Sequence, residues 1–290
     1  MRCHRNDAWT STRNWTSSLW RFSWRSGRTV DLYGRTAFIT GSAGVPGPTC
    51  VRWMLAAGAQ VVASDLPGER AAGIKERHGE DCRFRRYGLD VSDEAEVEGI
   101  FLRIMGDGWE QNVVLDNAAV TGELLMGRSQ EFPDLANTRT EEFETVTRMN
   151  LTVAFIVTRQ TDRHIVGRCP ATLINVAWMY AFGGPHRSIY DGMPFKNLSA
   201  YGVSKAGIHG LTVWLAGYWA GRQATVNTIA PGAVFNGHSR EFQRRVSAVV
   251  MAGRMARPDE VADVMLFLAS EAAGYMTGQL VNVDGGFSAW

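Results

Sequence analysis

A tyrosine and a lysine stand four residues apart in the segment SAYGVSK, residues 199–205. If this segment is helical, Tyr201 and Lys205 lie on one face of the helix. A nearby ammonium favours the tyrosinate and lowers the pKa of the phenol, so Tyr201 can act as a general acid or base. This spacing also arises by chance on solvated helices. However, Lys205 is one of only three lysines among 30 basic residues, and a guanidinium does not replace a compact ammonium at such a site.

A glycine-rich segment lies between a short apolar run and a helix candidate that opens with Pro48. Glycines permit a tight turn and let backbone amides approach a pyrophosphate, while the start of the helix supplies partial positive charge. Proline at a first helical position loses no useful hydrogen bond. We therefore expect a dinucleotide cofactor to contact this loop, through Gly41, Ser42, Gly44, Val45, Pro46 and Gly47.

Asp65 and Leu66 follow the second apolar run, in the sequence VVASDLP. A carboxylate at this place accepts hydrogen bonds from both ribose hydroxyls of the cofactor and repels a 2′-phosphate. Asp65 therefore favours NAD over NADP. The alternative role for Asp65 is to cap the helix that follows.

Elements that would position these residues alternate along residues 31–290, where short apolar runs are separated by longer amphipathic segments. The predicted strands are Thr36–Thr40, Gln60–Ser64, Arg83–Tyr87, Asn112–Leu115, Thr172–Val176, Thr225–Ile229 and Leu280–Val283. The predicted helices lie near residues 48–57, 93–105, 140–164, 199–220 and 258–269. This pattern predicts one α/β domain with a seven-stranded parallel sheet covered by helices on both faces. Residues 179–198 are rich in glycine and proline and are predicted as a long functional loop.

Composition excludes several classes of protein. The 290 residues carry a net charge of +1, and 45% are hydrophobic, as in an ordinary globular protein. No apolar run reaches the ~18 residues that cross a bilayer, and the near-zero charge gives no reason to bind nucleic acid. The four cysteines show no CxxC spacing and the six histidines form no metal-ligand cluster, so we expect no metal. The scattered cysteines fit a reducing compartment, and we expect a cytoplasmic protein.

Residues 1–30 differ in composition from the rest of the chain. They hold six arginines, a single acidic residue and four of the ten tryptophans, for a net charge of +5, whereas residues 31–290 carry −4. They lack the apolar core of a secretory signal. We expect a poorly ordered extension or a start codon placed upstream; the alternative is an arm that packs on a neighbouring subunit.

Over residues 31–290 the chain resembles the short-chain dehydrogenase/reductase family. Beyond the glycine loop and the Tyr201/Lys205 pair, the resemblance rests on Leu89-Asp90-Val91, Asp116-Asn117-Ala118-Ala119, Asn150 in MNL, Pro231-Gly232 and Asp284-Gly285-Gly286. It implies a single-domain, doubly wound Rossmann fold that binds a nicotinamide cofactor and a small-molecule substrate.

The resemblance also implies a role for each matched residue. Asp90, with Val91, would contact the adenine, and Asn117 would brace the cofactor site, with Ala118 and Ala119 beside it. Further cofactor contacts would come from the segment after the sixth strand, at Pro231, Gly232, Val234 and Asn236.

Three residues would carry the chemistry by the same resemblance. Tyr201 would exchange a proton with the substrate oxygen while hydride moves to or from the nicotinamide. Lys205 would also bind the nicotinamide ribose, and Asn150 would hold a water that links Lys205 to solvent.

The largest departure from the family pattern is Trp178, which stands where the family has a serine that donates a hydrogen bond to the substrate oxygen. An indole N–H donates but cannot accept. Trp178 therefore either polarises a ketone or only lines the substrate pocket. The loop offers Tyr180, Ser188 and Tyr190 as replacements for the missing hydroxyl, and the sequence does not choose among them.

Two smaller departures lie in the cofactor motifs. The family's NNAG is DNAA here, and Val45 replaces the second glycine of the usual loop. This loop variant, the long segment before the tyrosine and the C-terminal sequence resemble the branch of flagellin-modification and sugar-modifying dehydrogenases.

The expected function is the NAD(H)-dependent interconversion of a secondary alcohol and a ketone on a polar, sugar-like molecule. The substrate class rests on the branch resemblance alone. One alternative is a non-redox reaction, such as dehydration, epimerisation or cyclisation, which the missing serine motivates. Another is a cofactor-binding subunit without catalysis, against which the intact Tyr201, Lys205 and Asn150 argue.

By resemblance we also expect a homo-oligomer, a tetramer or a dimer. The helices near 140–164 and 199–220 are candidate interfaces, or else only cover the sheet. Phe287 and Trp290 either reach a neighbouring site or close the core.

Overall fold

A computed structural model describes residues 30–68, 73, 77–78, 80–120, 134–193 and 197–290. The expectations for the basic, tryptophan-rich segment at residues 1–30 lie outside the described residues, except for Val30.

The described residues form a seven-stranded sheet in which all neighbouring strands are parallel. The strands are β1 (Thr36–Thr40), β2 (Gln60–Asp65), β3 (Phe84–Gly88), β4 (Gln111–Asp116), β5 (Ala171–Val176), β6 (Ala224–Pro231) and β7 (Leu280–Val283). Their order is β3-β2-β1-β4-β5-β6-β7, so the direction of the crossovers reverses between β1 and β4. The predicted doubly wound α/β fold is confirmed, and such a sheet binds ligands in the crevice at this reversal point.

Helices cover both faces of the sheet and connect its strands. They are α1 (Gly47–Ala56), α2 (Glu94–Gly106), α3 (Thr140–Thr147), α4 (Val153–His164), α5 (Arg187–Tyr190), α6 (Ser199–Tyr218), α7 (Arg240–Ser247) and α8 (Pro258–Ala269). A π-helical turn, Arg148–Thr152, joins α3 to α4.

The two faces of the sheet bury alternate residues of each strand. On one face Ile39 packs in a cluster with the apolar side chains of α1 and α8. On the other face Phe38, the residue before it, packs in a cluster with those of α2, α4 and α6. Because both faces are buried there, the strands β1, β2, β4 and β5 read as near-continuous apolar runs, and all seven strands lie within two residues of their predicted bounds.

The structure differs from the predicted elements in three places. The single helix predicted over residues 140–164 is interrupted by the π-helical turn. The short helix α5 lies within the predicted loop, and α7 was not predicted. Helix α7 has the sequence REFQRRVS and buries only Phe242 and Val246, so its apolar pattern is too short to stand out.

The helices and side chains of the described residues bear on the classes of protein that composition excludes. Among these residues, no helix is both long enough and apolar enough to cross a bilayer. The same residues contain no cluster of acidic, histidine or cysteine side chains suited to a metal ion. Cys50, Cys82 and Cys169 are free thiols, and burial raises the pKa of the Cys50 thiol to about 12.

Phe101 on α2 tests the packing between helices and sheet. Its buried ring meets the ring of Phe38 edge-on, with 5.4 Å between the ring centroids. Phe101→Ala removes these contacts and leaves a cavity, so we expect the free energy of unfolding, measured in urea, to fall by about 3–5 kcal/mol. The neighbouring Leu102 is 51% exposed, and Leu102→Ala is the matched control, with an expected change within about 0.5 kcal/mol. Similar losses for both variants would contradict this packing.

Candidate active site

The glycine loop between β1 and α1 is compact because two of its glycines face backbone atoms. An ideal Cβ on Gly41, which has φ +59°, would lie 2.7 Å from the Cα atom of Ala118. On Gly47 it would lie 2.3 Å from the carbonyl oxygen of Ser42. Either side chain would collide, so the turn depends on glycine at both positions. In the same turn Val45 is exposed, whereas Pro46 is buried.

The Thr40 hydroxyl fastens this loop to the end of β4. It donates to Asp116 Oδ1 at 2.7 Å and accepts from the backbone N–H groups of Asn117 and Ala118, each at 3.1 Å. The Asn117 amide donates to the Gly41 carbonyl oxygen at 2.7 Å. Asn117 therefore joins the two strand ends at the reversal point of the sheet.

Asp65 ends β2 beside the same loop. Its Oδ2 atom accepts from the backbone N–H of Ala43 at 2.7 Å, and its Oδ1 atom accepts from that of Leu66 at 2.8 Å. The Leu66 side chain is exposed. The carboxylate is thus held at the mouth of the crevice with lone pairs left to accept further hydrogen bonds.

The residues around the loop fit a phosphate-bearing dinucleotide. The Ser42 hydroxyl is buried and has no hydrogen-bond partner among the described residues. Helix α1 begins without a side-chain cap, so its positive end is not neutralised by a side chain at the cap position. An unpartnered hydroxyl, an uncapped helix start and the fixed Asp65 carboxylate suit pyrophosphate and ribose recognition.

Lys205 lies on α6 and is buried above the end of β5. Its ammonium donates to the Val176 carbonyl oxygen at 2.8 Å. Burial lowers the pKa of Lys205 to about 8, and the charge of Asp116 acts in the opposite direction. Burial likewise raises the pKa of Asp116 to about 6, against the Thr40 hydrogen bond and the charge of Lys205. The two opposite charges therefore support each other in a dry environment.

Sequence reasoning missed Asp116 as a site residue and named it only as part of the family-like segment DNAA. A signal was present, since an acidic residue directly follows the buried run VVL in β4. Such a carboxylate must find hydrogen bonds or an opposite charge at the strand end.

Tyr201 stands in the first turn of α6, one turn before Lys205. The Lys205 ammonium lies 5.8 Å from the centroid of the Tyr201 ring. Burial raises the pKa of the Tyr201 phenol, and Tyr190 raises it further. The expected lowering of this pKa by Lys205 is not found, because burial and Tyr190 both act to raise it.

Asn150 lies in the π-helical turn and is buried. Its amide group pairs with the backbone of Val120, accepting at 2.8 Å and donating at 3.2 Å. It also donates to the Ser204 hydroxyl at 3.3 Å, and that hydroxyl donates to the Tyr201 carbonyl oxygen at 2.8 Å. Asn150 therefore reaches the start of α6 through Ser204.

The segment after β5 forms one wall of a small cavity with a volume of about 60 Å³. Six of the side chains that line it are Trp178, Tyr180, Tyr190, Val234, Phe242 and Met255. Ser188 is not among them, because it is exposed and its hydroxyl pairs with His186 Nδ1 at 2.9 Å. Of the three hydroxyl residues that the sequence offered, the structure brings Tyr180 and Tyr190 together and leaves Ser188 outside.

The remaining candidate residues lie along the same edge of the sheet. Asp90 Oδ1 accepts from the backbone N–H and the hydroxyl of Ser92, at 2.9 and 2.7 Å, and Val91 is partly buried. After Pro231, Gly232 lies so close to β7 that an ideal Cβ would be 2.8 Å from the Cα atom of Asp284.

Val234 and Asn236 follow Gly232 along the chain. Val234 is buried and lines the cavity, whereas Asn236 is exposed. Ala119, after β4, is also exposed.

Comparison with known proteins agrees with this geometry. A family model described as enoyl-(acyl carrier protein) reductase matches residues 44–288. The 3-oxoacyl-(acyl-carrier-protein) reductase of Thermotoga maritima is 28% identical over 261 residues, which cover 88% of this chain and 98% of that protein. An uncharacterised short-chain type dehydrogenase/reductase of Sinorhizobium fredii is 34% identical over 263 residues, which cover 88% of this chain and 44% of that protein.

Two solved structures share the fold over nearly the whole chain. One, from Agrobacterium tumefaciens and provisionally described as a gluconate dehydrogenase, has a TM-score of 0.78 at 25% identity, covering 90% of this chain and 98% of its own. The other is a short-chain dehydrogenase from Leptospira borgpetersenii with bound NAD+, with a TM-score of 0.76 at 24% identity, covering 96% and 100%. Because the family model spans well over half of the sequence, this protein belongs to the short-chain dehydrogenase/reductase family of oxidoreductases.

Proposed function

We propose that this protein interconverts a secondary alcohol and a ketone on a polar, sugar-like small molecule, with NAD(H) as cofactor. The observation that carries the proposal is the placement of Tyr201 and buried Lys205 on one face of α6, with the Lys205 ammonium bonded to the Val176 carbonyl at the end of β5. The glycine loop and Asp65 lie along the same edge of the sheet. A proton donor and a dinucleotide cradle therefore share one crevice.

The residues of this chain divide the work of the reaction. The nicotinamide, when bound, supplies or accepts hydride at the carbinol carbon. Tyr201 donates its proton to the substrate oxygen in reduction and takes it back in oxidation. The Lys205 ammonium stabilises the tyrosinate, and Asn150 holds the start of α6 through Ser204. The glycine loop, Asp65 and Asn117 hold the dinucleotide.

Asp65 supports NAD rather than NADP, because a 2′-phosphate would meet a carboxylate that two backbone N–H groups already fix in place. The Leptospira neighbour, which binds NAD+, is consistent with this choice. The Agrobacterium neighbour suggests a hydroxy acid of the sugar class, whereas the reductase of Thermotoga maritima suggests a 3-oxoacyl group. Gluconate and an acetoacetyl thioester are therefore the two probes that separate these substrate classes.

A non-redox reaction at the same site is the second candidate. It is favoured by Trp178, which lines the cavity where the family has a serine hydroxyl. Product formation without a change in the NAD to NADH ratio would distinguish it from the proposed redox reaction.

Assembly as a homo-oligomer and a cytoplasmic location also belong to the proposal. Several large apolar side chains are exposed on α4 and α6, namely Phe155, Val203, Val213, Trp214 and Tyr218. Exposed apolar patches of this kind favour contact with a second subunit.

Tyr201→Phe tests the proton donor. We expect kcat/KM, followed by nicotinamide absorbance with gluconate and NAD+ or with acetoacetyl-coenzyme A and NADH, to fall at least about 10²-fold. Binding of NADH, measured by calorimetry, should persist because the glycine loop is untouched. Tyr218→Phe is the matched control, since Tyr218 is on the same helix but is 46% exposed and stacks on Trp214. Equal turnover by wild type and Tyr201→Phe would remove Tyr201 from this role.

Asp65→Asn tests the choice of cofactor. The amide keeps an oxygen for the Ala43 N–H group but loses the charge that repels a 2′-phosphate. A hydrogen bond to a charged group is worth about 1.5–3 kcal/mol, so the ratio of kcat/KM with NADP to that with NAD should rise about 10- to 100-fold. Asp107→Asn, at the far end of α2, is the control and should leave the ratio unchanged. An unchanged ratio in Asp65→Asn would contradict the ribose contact.

The pH dependence of kcat/KM tests the buried charge pair. Lys205 loses its proton as the pH rises through about 8, so activity should fall on that side. Asp116→Asn keeps an oxygen that accepts from Thr40 but removes the charge that raises the pKa of Lys205. The fall in kcat/KM at high pH should therefore occur at a lower pH in the variant. If kcat/KM of the variant falls at the same pH as that of wild type, and the melting temperature is unchanged, Asp116 does not act on Lys205.

A further inference from the structure

A row of buried polar side chains crosses the sheet on the face that α6 covers. It consists of register partners on four neighbouring strands, namely Thr40, Asp116, Asn175 and Thr228. Register partners on neighbouring strands point to the same face of a sheet, and each of these four residues is at most 4% exposed. Thr40 donates to Asp116. Asn175 and Thr228 therefore need a partner from the helix above them.

Thr212 of α6 is that partner. Its hydroxyl oxygen accepts from Asn175 Nδ2 at 2.8 Å and from the Thr228 hydroxyl at 2.8 Å. Thr212 is fully buried, and its neighbours on the same face of the helix, Ile208 and Leu215, are apolar. Apolar packing has no preferred direction, whereas hydrogen bonds to two adjacent strands fix the helix both along the strands and across them. Thr212 therefore sets the position of α6 on the sheet.

The position of α6 decides whether Lys205 reaches its acceptor. Lys205 and Thr212 lie about two turns apart on one face of the helix. They bond to consecutive residues of β5, because Thr212 accepts from the Asn175 side chain and Lys205 donates to the Val176 carbonyl oxygen at 2.8 Å. A displacement of α6 by about 1 Å would take the Lys205 contact beyond hydrogen-bond distance.

The Lys205 ammonium faces the Val176 carbonyl oxygen of β5, the Asp116 carboxylate of β4 and the Tyr201 ring of its own helix. The carbonyl oxygen and the carboxylate both favour the charged form of Lys205, whereas burial disfavours it. Losing the bond to Val176 would therefore lower the pKa of Lys205. A neutral amine could then no longer stabilise a tyrosinate.

We propose that Thr212 is a positioning residue for Lys205. Bonded to Asn175 and Thr228, it holds α6 where the Lys205 ammonium reaches the Val176 carbonyl oxygen and supports proton transfer at Tyr201. The catalytic part of this inference rests on the proposed function. Thr212 itself exchanges no proton with the substrate, since its hydroxyl is buried against the sheet. The competing view is that the polar row only stabilises the fold.

Thr212→Val tests the positioning, because valine has the shape of threonine but no acceptor. Asn175 Oδ1 has no partner among the described residues, so the Asn175 amide would then lose the bond it makes. With the two probes named above, we expect kcat to fall about 10- to 100-fold, as for a small displacement of a catalytic group, with little change in KM. The fall in kcat/KM at high pH should also move about 0.5–1 pH unit lower.

Two variants of the same helix separate positioning from stability. Thr212→Ser keeps the hydroxyl and should retain the kcat and the pH dependence of wild type. Leu215→Ala is the matched control, since Leu215 is buried one turn beyond Thr212 but makes only apolar contacts through its side chain. It should lower the melting temperature and leave the pH at which kcat/KM falls unchanged.

The charge state of Lys205 can also be measured without a substrate. Lys205 is one of three lysines in the chain, so its NMR signal can be followed in protein carrying ¹³C-labelled lysine and identified by its absence in Lys205→Arg. We expect Lys205 to lose its proton at a lower pH in Thr212→Val than in wild type. Thr228→Val removes one of the two bonds to Thr212 and should give a smaller shift in the same direction.

The outcomes distinguish this inference from the proposed function. If Lys205 titrates alike in wild type, Thr212→Val and Thr228→Val, Thr212 does not position it, and the proposed function stands. An equal shift in Leu215→Ala would also overturn the role of Thr212, because any loosening of α6 would then suffice. If Thr212→Val does not fold, Thr228→Val alone decides. A shift in these variants, with a wild-type protein that binds NADH but turns over neither probe, would overturn the proposed function and still support the positioning of Lys205.

Discussion

The hydrogen bond from the Thr40 hydroxyl to the Asp116 carboxylate joins the two strands between which the sheet reverses its winding. Much of the site depends on this contact. The same hydroxyl orients the backbone after β4, and Asn117 then holds the glycine loop. The carboxylate in turn faces the buried Lys205 ammonium, which stands one turn from Tyr201. One small side chain at the reversal point thus links the glycine loop to the pair formed by Tyr201 and Lys205.

Burial is the second constraint, because it sets the protonation of the site. A dry crevice favours the neutral forms of the groups it encloses, which is why the pKa values of Tyr201 and Asp116 rise and that of Lys205 falls. A positively charged nicotinamide or a negatively charged substrate oxygen would enter this environment with little screening by water. Water therefore screens the charges of Asp116 and Lys205 only weakly.

The fold could be predicted from the sequence because strands buried on both faces are short apolar runs, distinct from the longer amphipathic helices. The run from Val61 to Ser64 is an example. The motifs at Gly41, Asp65 and Tyr201 were readable because each is local. The contact between Tyr180 and Tyr190 was not, since it joins residues ten positions apart in an irregular segment packed against α7, and α7 shows little apolar pattern. The raised pKa of Tyr201 also depends on burial, which neighbouring residues in the sequence do not reveal.

The π-helical turn at Arg148–Thr152 has a consequence for how this segment packs. A turn closed by i to i+5 bonds holds one residue more than an α-helical turn, so it shifts the phase of the helix by about 100°. This shift lets Val146 on α3 face the start of α6 while Val157 on α4 faces the sheet. An uninterrupted α-helix of this same sequence would turn one of these faces away from the element on which it packs. The extra residue held in the turn therefore allows both faces to be buried.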